Sequence, residues 1–382
     1  MYINKRLSMY LDLARWIAAG AVVIGHLRSY MFVEYGLVTD RNMFIRLFYF
    51  LTGFGHEAVM IFFVLSGFLV GGKVLHRVKK GQFDVRLYAI NRVSRLYVVL
   101  IGALVIGYIL DNIGLNYLNN TGIYNGTYQI ELNSPVFSAQ ANLGLYTLLS
   151  NILMFQTILT PPLGTNQPLW SLSNEFWYYV LFPIIVIMLI GSSGLKKKGL
   201  LAVLLLVLVL FLPFQMLLYF SMWVMGALVS LLERPIVKYF FVSIGSFGFS
   251  LLMARVGVLP AFASDMLVAS AFALTINTLI ADRHEIRPVV ATFNAKMSGF
   301  SYSLYSIHYP VMVFILSWIS VNVSDVFVRQ PSLKLFVSYC GLVLVLYLVS
   351  YSFSLITERN TGAIRKLMTR PMTSQPMPSA RR

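Results

Sequence analysis

The sequence is short of charge, and of negative charge most of all: 14 Asp and Glu stand against 30 Lys and Arg in 382 residues. Charged residues make up 12% of the chain and hydrophobic ones 58%, a balance that no water-soluble fold can hide in one core. A polytopic membrane protein is therefore expected. Cysteine is nearly absent. The single Cys340 excludes an intramolecular disulfide and a multi-cysteine metal site, and its apolar setting favours an inert packing residue over a nucleophile. Also missing are a phosphate-binding P-loop, a G-x-S-x-G elbow and an H-E-x-x-H zinc signature, and no metal is expected. Basic stripes interleaved with base-stacking aromatics are not visible, so nucleic acid is not an expected partner. The first apolar run follows basic residues, but Arg15 and His26 interrupt it and no small-residue cleavage site follows, so it reads as a retained span. No self-similarity relates the two halves, which counts against a transporter built on inverted repeats.

Long apolar runs, by contrast, are plentiful. Windows of about 20 residues place spans near 8–33, 56–75, 93–111, 170–191, 199–212, 214–232, 238–259, 262–281, 297–320 and 333–356. Ten is the best count; the run 199–212 is short and stops at Pro213, so nine and eleven stay open. The expected fold class is all-α, a polytopic transmembrane helical bundle, with a membrane domain over 1–357 and a basic, flexible tail over 358–382. If the N-terminus is inside, the inner segments collect most of the Lys and Arg, from Lys5 and Arg6 through the 73–95 stretch and Lys196 to Lys198 to the tail. The 112–169 segment has none. Both termini are then cytoplasmic, and the net charge of +16 reflects that sidedness, with some attraction to anionic membrane lipid.

Against this apolar background a few polar residues stand out. The run LDLARWIAAGAVVIGH carries Asp12, Arg15 and His26, and charges inside a span usually face protein and have a task. At about 100° per residue Arg15 and His26 return to within roughly 20° of one face, about 16 Å apart along the axis. Span two carries FFVLSGFLVGG, where Gly67 and Gly71 suit close helix packing and Ser66 can donate a hydrogen bond across helices. Arg92 and Arg95 lie one turn apart and can share a phosphate, or simply anchor the helix. The segment WSLSNEFWYY puts Trp170, Ser171, Ser173 and Glu175 at the start of a span, where a carboxylate needs a partner, an arginine being one candidate. His308 lies in SYSLYSIHYP with Tyr302 nearby. His56, His76 and His284 sit at span ends and receive no role.

Taken together, D-x-x-R with Arg-x10-His (Asp12, Arg15, His26), FFVLSGFL at 62–69, the Arg92/Arg95 pair, WSLSNEFWYY at 170–179 and SYSLYSIH at 301–308 resemble acyltransferase family 3, integral-membrane O-acyltransferases found mainly in bacteria. The resemblance covers roughly 8–357. It implies an enzyme of the bacterial inner membrane that transfers an acyl group, usually acetyl from cytoplasmic acetyl-CoA, to a hydroxyl of a polysaccharide or lipid-linked glycan. The family's motif histidine, arginine and glutamate correspond to His26, Arg15 and Glu175. The chemistry fits these residues: imidazole is a base near neutral pH, and Glu175 could orient it or stabilise the imidazolium. Arg15, Arg92 and Arg95 would meet the CoA phosphates. Trp170, Ser171, Ser173, Tyr302 and His308 are candidates for contacting the substrate. Direct transfer is favoured over a covalent intermediate, with an acyl-histidine left open. The competing readings are a proton-coupled glycan or lipid transporter using the same polar residues as a relay, and a non-catalytic membrane sensor.

Overall fold

The computed structural model describes residues 4–127, 139–192, 194–280 and 287–369. Arg283, His284 and the tail from 370 onward, on which parts of the sequence reading fall, lie outside the described residues. Chain order runs α1 (Lys5–Met31), α2 (Met43–Leu51), α3 (Gly55–Ser66), a π-helical turn (Gly67–Gly71), α4 (Gly72–Lys79), α5 (Val85–Tyr117), α6 (Leu145–Ile152), α7 (Trp170–Ile190) and α8 (Leu195–Phe211). It continues through α9 (Phe214–Val229), α10 (Phe240–Val256), α11 (Ala261–Ile280), α12 (Pro288–Ser298), α13 (Ser301–Asn322), α14 (Leu333–Ile356) and α15 (Thr361–Thr369). Among the described residues there are no β-strands, only the isolated bridges Phe32 with Arg329 and Gln156 with Thr160. The chain is an all-α polytopic bundle.

Each expected span is occupied by a helix. Among the described residues, seven helical stretches are long and apolar enough to cross a membrane, whereas α8, α9 and α10 have only 17, 16 and 17 residues. Pro213 separates α8 from α9 and is the N-cap of the latter, because proline has no N–H to continue the preceding helix. Helix starts follow local chemistry elsewhere too: the side chains of Asn4, Asn42, Asp84 and Ser332 accept from backbone N–H groups at the starts of α1, α2, α5 and α14, satisfying donors left over there. Cys340 is exposed on α14, so it faces the surroundings of the bundle and is not a packing residue as expected. Residues 358–369, assigned by composition to a flexible tail, form a 3-10 turn and then α15, which packs on α5.

Two apolar cores lie side by side. One gathers α3, α4, α7, α9 and α11, the other α13 and α14; α1 and α5 contribute to both, and Phe62 and Tyr302 pack against both. In the first core α3 and α9 approach closely because Gly67, Gly71 and Gly226 carry no side chain. A Cβ on Gly67 would strike the Trp223 carbonyl, and one on Gly226 the Val64 carbonyl. This is the close packing expected of small residues in membrane helices, and the π turn begins at the contact.

Two prolines inside spans are tied into the tertiary structure by one device. Proline at position i leaves the carbonyl of i−4 without its helical donor, and in a membrane that carbonyl must find another. Pro310 in α13 frees the Ser306 carbonyl, which accepts from Asn166 Nδ2 at 2.8 Å. Pro183 in α7 frees the Tyr179 carbonyl, which accepts from the Tyr88 hydroxyl at 3.0 Å. Each bond pins a helix that carries candidate site residues.

Candidate active site

Where the two cores meet, α1, α3, α4, α5, α7 and α13 enclose a cavity of about 280 Å3. Four cations line it: Arg15, Lys73, Arg92 and Arg95. Arg15 is held by Asp12 at 3.1 Å, and Asp12 Oδ1 also accepts from Ser298 at 2.9 Å. Among the described residues the other three make no ion pair. Arg92 stacks over the Tyr179 ring at 5.5 Å, and its Nε is buried without a hydrogen-bond partner. A buried guanidinium N–H with nothing to bond to is costly, and a bound anion would meet the need. Lys73 escaped the sequence reading because a lysine at the end of a span looks like any inner-face anchor.

The carboxylate in this cavity is Glu175. Its Oε1 accepts from the hydroxyls of Ser66 and Tyr179, each at 2.5 Å, and Ser66 in turn accepts from Trp223 Nε1 at 3.0 Å. Neutral donors thus hold Glu175, not an arginine. Nor does it touch His26, so the expectation that it orients that imidazole is overturned. Ser66, directly before the π turn, is placed by the close contact of α3 with α9, in keeping with the tendency of π turns to occur at functional sites.

His26 has a different partner. Its Nδ1 lies 3.0 Å from Nε2 of His308, with the ring planes within 4° of each other. His308 Nδ1 lies 2.8 Å from the Tyr305 carbonyl and 3.1 Å from that of Leu304. A carbonyl only accepts, so Nδ1 of His308 carries the proton and, in the neutral ring, its Nε2 accepts from His26 Nδ1–H. Neutral His26 is left with the lone pair on Nε2, the tautomer that a base requires. The ring edge is further set by Tyr309, whose centroid is 5.1 Å away and whose hydroxyl pairs with that of Tyr30.

The other candidates divide. Ser171 and Tyr302 line the cavity; Ser171 hydrogen-bonds to the Tyr305 hydroxyl at 2.7 Å, and Tyr302 donates to the Leu96 carbonyl. His308, 0% exposed, bonds to His26 and does not line the cavity. Ser173 is also 0% exposed and donates to the Met154 carbonyl, which turns it away from the cavity. Trp170 packs edge-on against Phe63 and does not line it. Tyr305 lines the cavity and lies 6.0 Å, ring to ring, from His308, so it stands between the cationic cavity and the histidine pair.

Residues 9–355 match the acyltransferase domain of acyltransferase family 3. The chain belongs to this family. Among curated relatives, acyltransferase MdmB of Streptomyces mycarofaciens is 26% identical over 174 residues, 44% of this chain and 37% of that protein. An uncharacterized protein of Haemophilus influenzae is 27% identical over 133 residues, 34% of this chain and 48% of that one. The chain thus matches less than half the length of either relative. No solved structure matches. Within the family match, α13 has a further anchor that the sequence reading missed. Glu358 Oε2 accepts from the backbone N–H and hydroxyl of Ser303, at 3.0 and 2.9 Å, capping the start of the helix that carries Tyr302, Tyr305 and His308. A lone acid just past the last span, at the head of a basic tail, was its only trace in the sequence.

Proposed function

We propose that this protein is a membrane O-acyltransferase of the bacterial inner membrane that moves an acyl group, acetyl in the first instance, from cytoplasmic acyl-CoA to a hydroxyl of a cell-surface or exported glycan. The observation that carries the reading is the pairing of two arrangements: a cavity with three cations that make no ion pair among the described residues, and, outside its lining but linked to it through Tyr305 and His308, a histidine whose partner leaves its Nε2 lone pair free. The first suits the phosphates of a CoA donor, since arginine forks bind phosphate through charge-assisted bonds. The second suits a base for an alcohol.

In the proposed step His26 Nε2 takes the proton as the acceptor oxygen attacks the thioester carbonyl. The tetrahedral intermediate collapses with departure of the CoA thiolate, and the imidazolium returns its proton to that sulfur. His308 holds His26 in orientation and shares the transient charge through their hydrogen bond. Arg15, Lys73, Arg92 and Arg95 hold the phosphates, and Glu175, fixed by Ser66 and Tyr179, supplies a counter-charge that keeps the four cations in one cavity. Ser171 and Tyr302, which line that cavity, contact the substrate. The charge pattern supports cytoplasmic termini and a donor arriving at the Arg15 end of α1. The test is acetyl-CoA turnover by purified protein with and without added glycan. Glycan-dependent release of CoA, absent in His26→Gln, is expected; a protein that moves glycan or lipid across vesicles without consuming acetyl-CoA would be a transporter instead.

A further inference from the structure

At the other end of α1 from the cationic cavity, two arginines converge on Tyr49. Arg28 stacks over its ring at 5.0 Å, and Arg255 Nη2 donates to its carbonyl at 3.2 Å. The Arg255 guanidinium lies against Gly53, where a Cβ would collide with it. Neither arginine has an ion pair among the described residues. Arg28 has no hydrogen bond there either, and its Nε is buried without a partner. A buried, unpaired guanidinium N–H beside a second guanidinium is the donor chemistry of an anion site.

These arginines also cap a groove. Between α1, α3, α10 and α11 runs an almost wholly apolar groove of about 500 Å3, from Tyr10 at one end to Leu51, Phe54 and Glu57 at the other. Ile24 and Leu251 line its far end. Arg28 and Arg255 each follow one of them by four residues, which on a helix is the same face one turn on. The arginines, which are not part of its lining, therefore stand one turn beyond the groove's far end. Water has no polar partners along such a wall, and hydrocarbon is the medium around these helices. The other charges nearby are Glu34, Glu57, whose buried Oε2 also lacks a partner, and the pair His56 with Asp265 at 2.8 Å. Glu57 Oε2 can accept from a hydroxyl next to the anion.

We propose that the groove and the Arg28–Arg255 pair form a binding site for a lipid phosphate, its hydrocarbon chain in the groove and its phosphate between the guanidiniums, and that the acyl acceptor is presented on this lipid. The second clause rests on the acyl-transfer reading. Arg28 is two residues from His26, about 200° around α1, so the phosphate is anchored on the opposite side of the helix from the imidazole. The acylated hydroxyl must then lie a helix width, about 10 Å, beyond the phosphate.

The test uses the full chain in nanodiscs of phosphatidylcholine with a fluorescent polyprenyl phosphate as probe. Unlabelled polyprenyl phosphate should displace it, and neutral polyprenol and inorganic phosphate should compete far less well. The pair Arg28→Gln with Arg255→Gln should weaken binding about tenfold or more, and Ala21→Trp, which fills the groove without touching either arginine, should weaken it as well. The Arg28→Lys, Arg255→Lys pair keeps the charge and should retain most binding, which guards against a misfolded glutamine pair. Unchanged binding in the glutamine pair, equal binding of neutral polyprenol, or displacement by inorganic phosphate as effective as by lipid each overturns the proposal. As acyl acceptors, a glycan on its lipid phosphate should have a lower KM than the same glycan released. Equal KM values would overturn the lipid-presented acceptor and leave acyl transfer standing, whereas transfer to neither glycan would refute the acyl-transfer reading itself.

Discussion

At the scale of single residues, the chemistry depends on which nitrogen of His26 is free. His308 decides this by donating to the carbonyls of Tyr305 and Leu304 and accepting from His26. Removing the base should cost about 10²- to 10⁴-fold in kcat, so His26→Ala and His26→Gln are expected to abolish transfer while leaving expression and detergent-solubilised melting nearly unchanged. His308→Leu leaves His26 Nδ1–H without its acceptor. It should lower kcat by less than the loss of His26 does and leave KM for acetyl-CoA unchanged, and His308→Gln, whose carbonyl oxygen can accept, should recover part of the rate. Full activity in His308→Leu would remove the histidine pair from the mechanism. A second residue-scale prediction concerns the donor: Arg92→Ala, Arg95→Ala and Lys73→Ala should each raise KM for acetyl-CoA, and the rise should shrink with dephospho-CoA for whichever cation meets the 3′-phosphate. Unchanged KM in all three would make them membrane-surface anchors only.

At the scale of elements, the site is assembled by helices that are individually imperfect. Both α7 and α13 contain a proline, and each lost backbone bond is replaced by a side chain from elsewhere. Asn166→Ala leaves the Ser306 carbonyl unsatisfied and should destabilise the protein by ~1–3 kcal/mol. Pro310→Ala in that background restores an N–H to the helix, so the double variant should melt higher than Asn166→Ala alone. Additive losses in this cycle would show that Asn166 acts some other way. Ser66 is likewise an element-scale residue, since Gly67 and Gly226 set how closely α3 meets α9 and so where the Ser66 hydroxyl meets Glu175.

At the scale of the whole molecule, the cationic cavity and the histidine pair occupy different depths. Arg15 and His26 are about 16 Å apart along α1, with Tyr305 between the cavity and His308. Donor and acceptor are then expected to enter from opposite faces. Sealed vesicles with the cytoplasmic face outward should transfer label from external acetyl-CoA to glycan trapped in the lumen, with no separate acetyl carrier. Label only on glycan that shares the donor's compartment would make the enzyme a one-sided cytoplasmic transferase.

Much of this was readable from the chain alone. Scarce charge and long apolar runs are local properties, so composition and hydropathy alone dictate an all-α membrane bundle with a helix at each of the ten runs. Helical period put Asp12, Arg15 and His26 on one inward-facing stripe, and the motifs identified the family. Partners were another matter, because spacing along a helix says which way a side chain points and not what it meets. That Glu175 is held by Ser66 and Tyr179 and not by an arginine or His26, and that Ser173 faces Met154, follows from how the helices pack. The pairing of His26 with His308 joins residues 282 positions apart, and Glu358 reaches Ser303 across 55. In the sequence Lys73 and Arg28 are ordinary positive charges at helix ends, and only their neighbours distinguish a cation that anchors a helix from one that faces a cavity or a second guanidinium with no acidic partner among the described residues.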